Sequence, residues 1–234
     1  MTPDDVVPVA ITERSGFDES VHFGAVVGLA TDGSIEFAVG DPSALVYPRS
    51  SNKPMQAVAM LRAGLDLPSE LLALVCASHD GTDEHLHVAR RILASAGLTE
   101  DALANTPSMP LDGPTAQRVL RDGGGPTRLQ MNCSGKHSGM LATCVHNGWA
   151  HDATYLSFDH PLQVAITETI DDLAGEPHAH VGIDGCGAPA HVMSLLGLAR
   201  SFRAIASGAA GAAGDRVYAA MTEHPVLVGG APRD

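Results

Sequence analysis

The chain has 234 residues, 27 acidic against 14 basic, a net charge of -13, and 44% hydrophobic but only 4% aromatic residues. At this length roughly 70 to 75% of the unfolded surface is buried on folding, so a core needs no disulfide or oligomeric staple. The acidic balance, the lack of any Lys/Arg run and the absence of an apolar stretch near the roughly 18 residues of a membrane span exclude nucleic acid and bilayer as expected partners.

The N-terminus, MTPDDVVPVAITERSGFDES, puts acids where a signal peptide needs cations, so a cytoplasmic protein is expected. Val6 to Thr12 and Val21 to Ala30 are β-rich, and the second run meets Ser34 to Val39 across Thr31-Asp32-Gly33, a turn suited to a tight antiparallel hairpin. Pro54 suits a first helical turn, and Met55 to Leu65 continues as a helix-forming run ending near Gly64. Leu71 to Ala77 is apolar enough to be buried whatever structure it takes, and it delivers Ser78-His79-Asp80-Gly81, a polar cluster on the end of a buried element.

Thr82 or Asp83 caps the next expected helix, with Leu86, Ala89, Leu93 and Ala96 at helical spacing and Gly97 closing it. His85 and His87 then fall on different faces and read as solvated or partly buried side chains, not as a ligand pair. Pro107 to Pro114 and Gly123 to Pro126 mark loops around a helical turn, and Asn132-Cys133-Ser134-Gly135-Lys136-His137 opens a further helix. Asp159-His160-Pro161 caps a helix with Leu162, Ile166, Ile170 and Leu173 on its apolar face. VGIDGCGAPA, 181 to 190, reads as a glycine-rich loop, followed by a helix from His191 to Ser207, a flexible joint at 208 to 214, and a last helical turn from Asp215 to Glu223.

Only two lysines occur, Lys53 and Lys136, among twelve arginines. Arg cannot be deprotonated in a protein, whereas Lys can be driven neutral by burial and then act as base or ligand. Ser50 and Lys53 sit at i and i+3 on one helical face, the geometry of a serine nucleophile beside its base. Ser-x-x-Lys also recurs by chance, and a serine before a helix also serves as a cap. A neutral Lys53 would take the hydroxyl proton during attack on an acyl group, with backbone N–H groups holding the oxyanion. Ser78 reads either as a relay and second nucleophile or as an ordinary turn residue.

The four cysteines, Cys76, Cys133, Cys144 and Cys186, are too scattered for a disulfide framework. Cys133 and Cys186 would make a zinc site if they met, and spacing alone suggests His137, four residues after Cys133, as the nitrogen ligand. The alternative is a pair of buried thiols.

RSSNKPMQA, LVCASHDG, NCSGKHSGML, DHPLQ, IDGCGAPA and TEHPVLVGG, in this order, resemble the bacterial L-asparaginases of the thermolabile, Rhizobium-type class. The resemblance runs from about Val7 to the last residues. It implies an amidohydrolase that converts L-asparagine to L-aspartate and ammonia, usually homodimeric, as a single α+β domain over residues 1 to 234 with an antiparallel sheet and a helical region similar to the serine β-lactamases and glutaminases. By resemblance Ser50 is the nucleophile activated by Lys53, Ser78 belongs to a second Ser-Lys pair, Cys133, Lys136 and Cys186 hold one zinc ion, and Arg49, His137 and Asp184 line the substrate site. Lys136 then replaces His137 as the nitrogen ligand. The family continues past the HP-x-LV-x-G segment with later sheet strands and the second lysine, so a C-terminally truncated chain is expected, with an inactive zinc-binding remnant as the alternative to the enzyme. A penicillin-recognising enzyme shares Ser-x-x-Lys, but neither SDN nor KTG occurs.

Overall fold

In the computed structural model, residues 2–231 are described. The chain opens with β1 (Val7–Arg14) and β2 (Phe17–Gly24), an antiparallel hairpin that runs from Val7 opposite Gly24 to Arg14 opposite Phe17. The expected single strand from Val21 to Ala30 is divided. Its first half pairs with β1, and after Ala25 the chain starts β3 (Val26–Leu29), which pairs with β4 (Ile35–Val39) across the expected Thr31-Asp32-Gly33 turn. Ten β-forming residues exceed the usual strand length of about five or six, and hydropathy alone does not register the change of partner.

β5 (Leu45–Val46) leads through a 3-10 turn, Arg49–Asn52, into α1 (Lys53–Arg62). The helices α2 (Ser69–Val75), α3 (Asp83–Ser95), α4 (Gly113–Arg121), α5 (Ser134–Asn147) and α6 (Pro161–Ala174) follow. β6 (His180–Ile183) and β7 (Pro189–Ser194) come next, then α7 (Leu195–Ala206), α8 (Gly211–Glu223) and α9 (Pro225–Gly229). Both helix and strand are present in an α+β arrangement. The strands divide among three small antiparallel sheets, β1-β2, β3-β4 and β5-β7-β6, instead of one.

Three expectations for the later half are corrected. Residues 181 to 190 are not a loop throughout, and the helix does not begin at His191. Pro189–Ser194 is the fully buried central strand of the third sheet, and only Asp184 to Ala188 turns between it and β6. The helix waits for Ser194, whose hydroxyl accepts from Gly197 N at 2.8 Å and caps α7. The expected joint at 208 to 214 is helical in its second half, α8 beginning at Gly211, and is anchored by buried Ala210 and Gly214, while Gly208, Ala209, Gly211 and Ala212 are exposed. His85 is also corrected: it is fully buried, its Nδ1 accepts from the Thr82 hydroxyl at 2.7 Å, and its Nε2 donates to Val226 O at 3.1 Å. A face that looks polar in sequence is covered by α9, which arrives from more than a hundred residues away.

The core is helical. Met55 and Val58 of α1, Leu72 and Leu74 of α2, Ile92 of α3, Met140 of α5 and Ile166 of α6 belong to one buried cluster. α2 and α5 approach so closely that a Cβ on Gly135 would lie 2.4 Å from Leu74 O. Backbone cannot be displaced as a flexible side chain can, so Gly135→Ala is expected to destabilise the fold by about 1 to 3 kcal/mol, as overpacking does. Urea unfolding reads it, and an unchanged midpoint would rule out this contact. Among the described residues no helix is long and apolar enough to cross a membrane.

Candidate active site

Both lysines are interior, each only 1% exposed. Lys53 opens α1 beneath the 3-10 turn that carries Ser50, and its backbone N–H donates to Ser50 O. Its Nζ reaches across the core to Ala77 O at 2.7 Å and Asn132 O at 3.3 Å. Burial pushes the Lys53 pKa down, and the charge of Lys136 adds to that, against the opposing pull of Cys133. Ser50 is half-buried, and among the described residues no hydrogen bond joins its Oγ to Lys53 Nζ.

Ser78 follows the carbonyl that Lys53 holds. Its hydroxyl accepts from Asn132 Nδ2 at 2.7 Å, and the same two segments are joined by His79 N donating to Asn132 O at 3.2 Å. His79 adds a third tie. Gly81 N donates to its Nδ1 at 3.1 Å, so the ring proton lies on Nε2, which donates to Ser134 Oγ at 2.9 Å. Burial, then the neighbouring His85 ring stacked 5.2 Å away, drives the His79 pKa well below the usual value, so it remains neutral. The end of α2 and the start of α5 are thereby fixed against each other around Lys53.

Cys133, at the N-cap of α5, and Cys186, in the β6–β7 turn, meet below the surface. Lys136 Nζ donates to Cys186 Sγ at 3.3 Å. The two thiols hydrogen-bond, which drives Cys186 far down and Cys133 up. The pair therefore favours the charge on Cys186, which sits between Cys133 and the Lys136 side chain. Among the described residues no three or more His, Cys, Asp or Glu side chains converge as a metal site. The two sulfurs need the Lys136 amine to make three donors, and sulfur with nitrogen is a donor set that suits zinc.

His137 lies one position on, fully buried. Its Nδ1 faces Tyr155 Oη at 2.7 Å, and its Nε2 has no hydrogen-bond partner among the described residues. Burial lowers its pKa to about 4. The Cys186 sulfur lies against this ring, and its hydrogen-bonding pull and charge oppose the effect of burial. Arg49 Nε pairs with Asp184 Oδ1 at 2.7 Å, with the arginine side chain 61% and the carboxylate 12% exposed. Arg49 has a φ of +53°, a left-handed backbone that a non-glycine residue adopts only at a cost of order 1 kcal/mol, here immediately before Ser50. An open cleft of about 470 Å³ lined by Leu156, Phe158, Ile183 and Gly187 lies beside the Cys186 turn.

The structure thus gathers Lys53, Ser78, Cys133, Lys136, His137 and Cys186 around the N-terminus of α5 and joins Arg49 to Asp184. Three side chains in this region were not singled out in the sequence. Asn132 and His79 stood inside quoted motifs, NCSGKH and SHDG, and the polar cluster after a buried element was their signal. Tyr155, in the 3-10 turn Ala153–Leu156, carried none.

Compared with known proteins, the sequence model of the family described as L-asparaginase II matches residues 10–234. No curated protein matches the chain.

Proposed function

The chain belongs to the L-asparaginase II family, and from that premise we propose that it hydrolyses the side-chain carboxamide of L-asparagine to L-aspartate and ammonia through an acyl-enzyme on Ser50. The motifs around Ser50, Cys133 and Cys186 support a Rhizobium-type reading, and with it we propose the β-lactamase-like fold, cytoplasmic location and homodimer that this resemblance implies. The observation that carries the reading is the burial of Lys53 directly beneath the Ser50 turn. A neutral amine has two hydrogens, which Ala77 O and Asn132 O accept, and its lone pair is left to take the serine proton. Ser50 Oγ then attacks the carboxamide carbon. The proton passes to the departing nitrogen, ammonia leaves, and water cleaves the ester to give aspartate and restore the hydroxyl. Ser78, held by Asn132 beside the carbonyl that Lys53 grips, is the relay nearest this exchange. Asp184 reads the substrate α-amino group, and Arg49, released from Asp184, reads its carboxylate.

Cys133, Lys136 and Cys186 would hold a zinc ion. Bound there, zinc supplies a charge that keeps the amine of Lys136 unprotonated and the sulfurs as thiolates. Elemental analysis after dialysis is expected to find close to one zinc per chain, and Cys186→Ala to lose it. A metal content unchanged by that substitution would remove the site.

Ammonia release from L-asparagine, with L-glutamine in parallel, tests the activity. One observation favours a second reading, a zinc-binding member of the family without turnover: Lys53 Nζ bonds to two carbonyls and not to Ser50. A folded, zinc-loaded sample that releases no ammonia would establish it.

A further inference from the structure

We propose that the cleft between α6 and the β6–β7 hairpin is a second small-molecule site, suited to a primary ammonium on a small apolar body. Phe158, Thr167, His178, Val181 and Pro189 line it, and its volume is about 270 Å³. None of these five belongs to the groups gathered around Lys53, Cys186 and Asp184, so the site is independent of the asparaginase reading.

Thr167 and Asp171 lie one turn apart on α6 and share a face of it. Asp171 fixes His178 twice over: its Oδ1 accepts from the backbone N–H of His178 at 2.9 Å, and both carboxylate oxygens lie 3.0 Å from Nδ1. The buried His191 ring stands edge-on to His178, with 5.7 Å between centres, so the imidazole is held in one orientation. An ionised carboxylate only accepts, and Nδ1 therefore carries a hydrogen. In the neutral ring Nε2 is then a bare acceptor, and it has no hydrogen-bond partner among the described residues. Thr167 is committed in the same sense. Its hydroxyl donates to Gln163 O and accepts from His191 Nε2, both at 2.8 Å, which leaves one lone pair and no hydrogen for a ligand.

Both polar side chains of the cleft wall thus accept hydrogen bonds, and the formal charge paired with His178 is the Asp171 carboxylate. A complementary ligand brings N–H donors and a positive charge, as a primary ammonium does. A carboxylate or phosphate would meet lone pairs and negative charge instead. The Phe158 ring, 52% exposed, adds a π face that attracts a cation, and Val181 and Pro189 supply apolar wall for the rest of the ligand. Pockets for small molecules begin at about 300 Å³, so a body of about one ring is the size that fits.

The experiment titrates benzylamine into the full chain at about pH 8, where an imidazole of ordinary pKa is neutral, and follows binding by calorimetry and by the methyl NMR signals of Thr167 and Val181. Saturable binding at one site is expected, with a Kd of about 1 mM or tighter, as for a good ligand of this size. Benzyl alcohol and benzoate keep the ring and change the head group, and both should bind at least about tenfold more weakly. His178→Phe retains a ring beside His191 and removes the acceptor, so Kd should rise on the order of tenfold. Phe158→Leu, at an exposed position, should raise it several-fold. Asp184→Asn should leave it unchanged. Absence of saturable binding overturns the proposal, as does benzoate binding as tightly as benzylamine. Binding that is kept in His178→Phe and lost in Asp184→Asn would put the amine in the asparagine site and overturn it too. If His178→Phe does not fold, Phe158→Leu and the two methyl signals decide. Ammonia release is not read, so a chain without turnover counts against the asparaginase reading alone.

Discussion

Replacing Ser50 by alanine is expected to lower ammonia release from L-asparagine by at least about 10³-fold, the scale of loss when a covalent nucleophile is removed. The fold should survive. Ser50 contributes its backbone to the 3-10 turn, where its carbonyl accepts from Lys53 N, and its half-buried side chain has no hydrogen-bond partner among the described residues. The unfolding midpoint is therefore expected to move little, which separates lost chemistry from lost structure. Residual turnover close to that of the parent chain would show that another group attacks the amide. Ser78 would then be the serine to remove next.

The second large effect concerns acid. His191 is fully buried on β7; its Nε2 donates to Thr167 Oγ1 at 2.8 Å, and that hydroxyl donates to Gln163 O at 2.8 Å. Its Nδ1 has no partner among the described residues, and burial, helped by the neighbouring His178, lowers its pKa to about 4. His79 is displaced in the same direction. Between about pH 6.5, where these groups protonate in the unfolded chain, and their lower folded values, the unfolded state binds more protons than the folded one. Stability is therefore full above the unfolded pKa and is lost as pH falls through this window. For His191 alone the loss from about pH 7.5 to about pH 5 comes to about 2 kcal/mol, and His79 adds to it. Urea titrations at the two pH values measure the total. His191→Gln, which keeps a donor for Thr167, should remove part of the dependence, and equal stability at both pH values would contradict the neutral burial of these rings.

Much of the site's neighbourhood could be read from the sequence because chemistry narrows the choice of residue. Two lysines among twelve arginines point to places where a guanidinium would fail, and both prove to be interior. The helix starts at Lys53 and Ser134 were legible from Pro54 and from the glycine-containing turn before Lys136. What escaped depended on distant parts of the chain. Pro189–Ser194 has the composition of a loop running into a helix, and it is a strand because β6 pairs with it from Pro189 to Val192 and β5, well over a hundred residues earlier, pairs with Met193 and Ser194. His85 looks solvated until α9 supplies Val226 O. Tyr155 belongs to no periodic pattern, and its importance arises from Ala104 and His137, which only the fold brings to its hydroxyl. Local pattern identified which residues are chemically unusual; tertiary packing decided their partners.

The placement of the two lysines also has a practical side. Amine-acylating reagents ignore guanidinium, so beyond the α-amino group the described residues of the folded chain offer them no exposed amine. Unfolding exposes two further amines, and each acyl group adds a fixed mass. The number of acyl groups on an intact chain, read by mass spectrometry, is therefore a count of how far it has opened. Folded chains should accumulate the second and third labels only at the rate at which the interior opens, with no reporter group introduced.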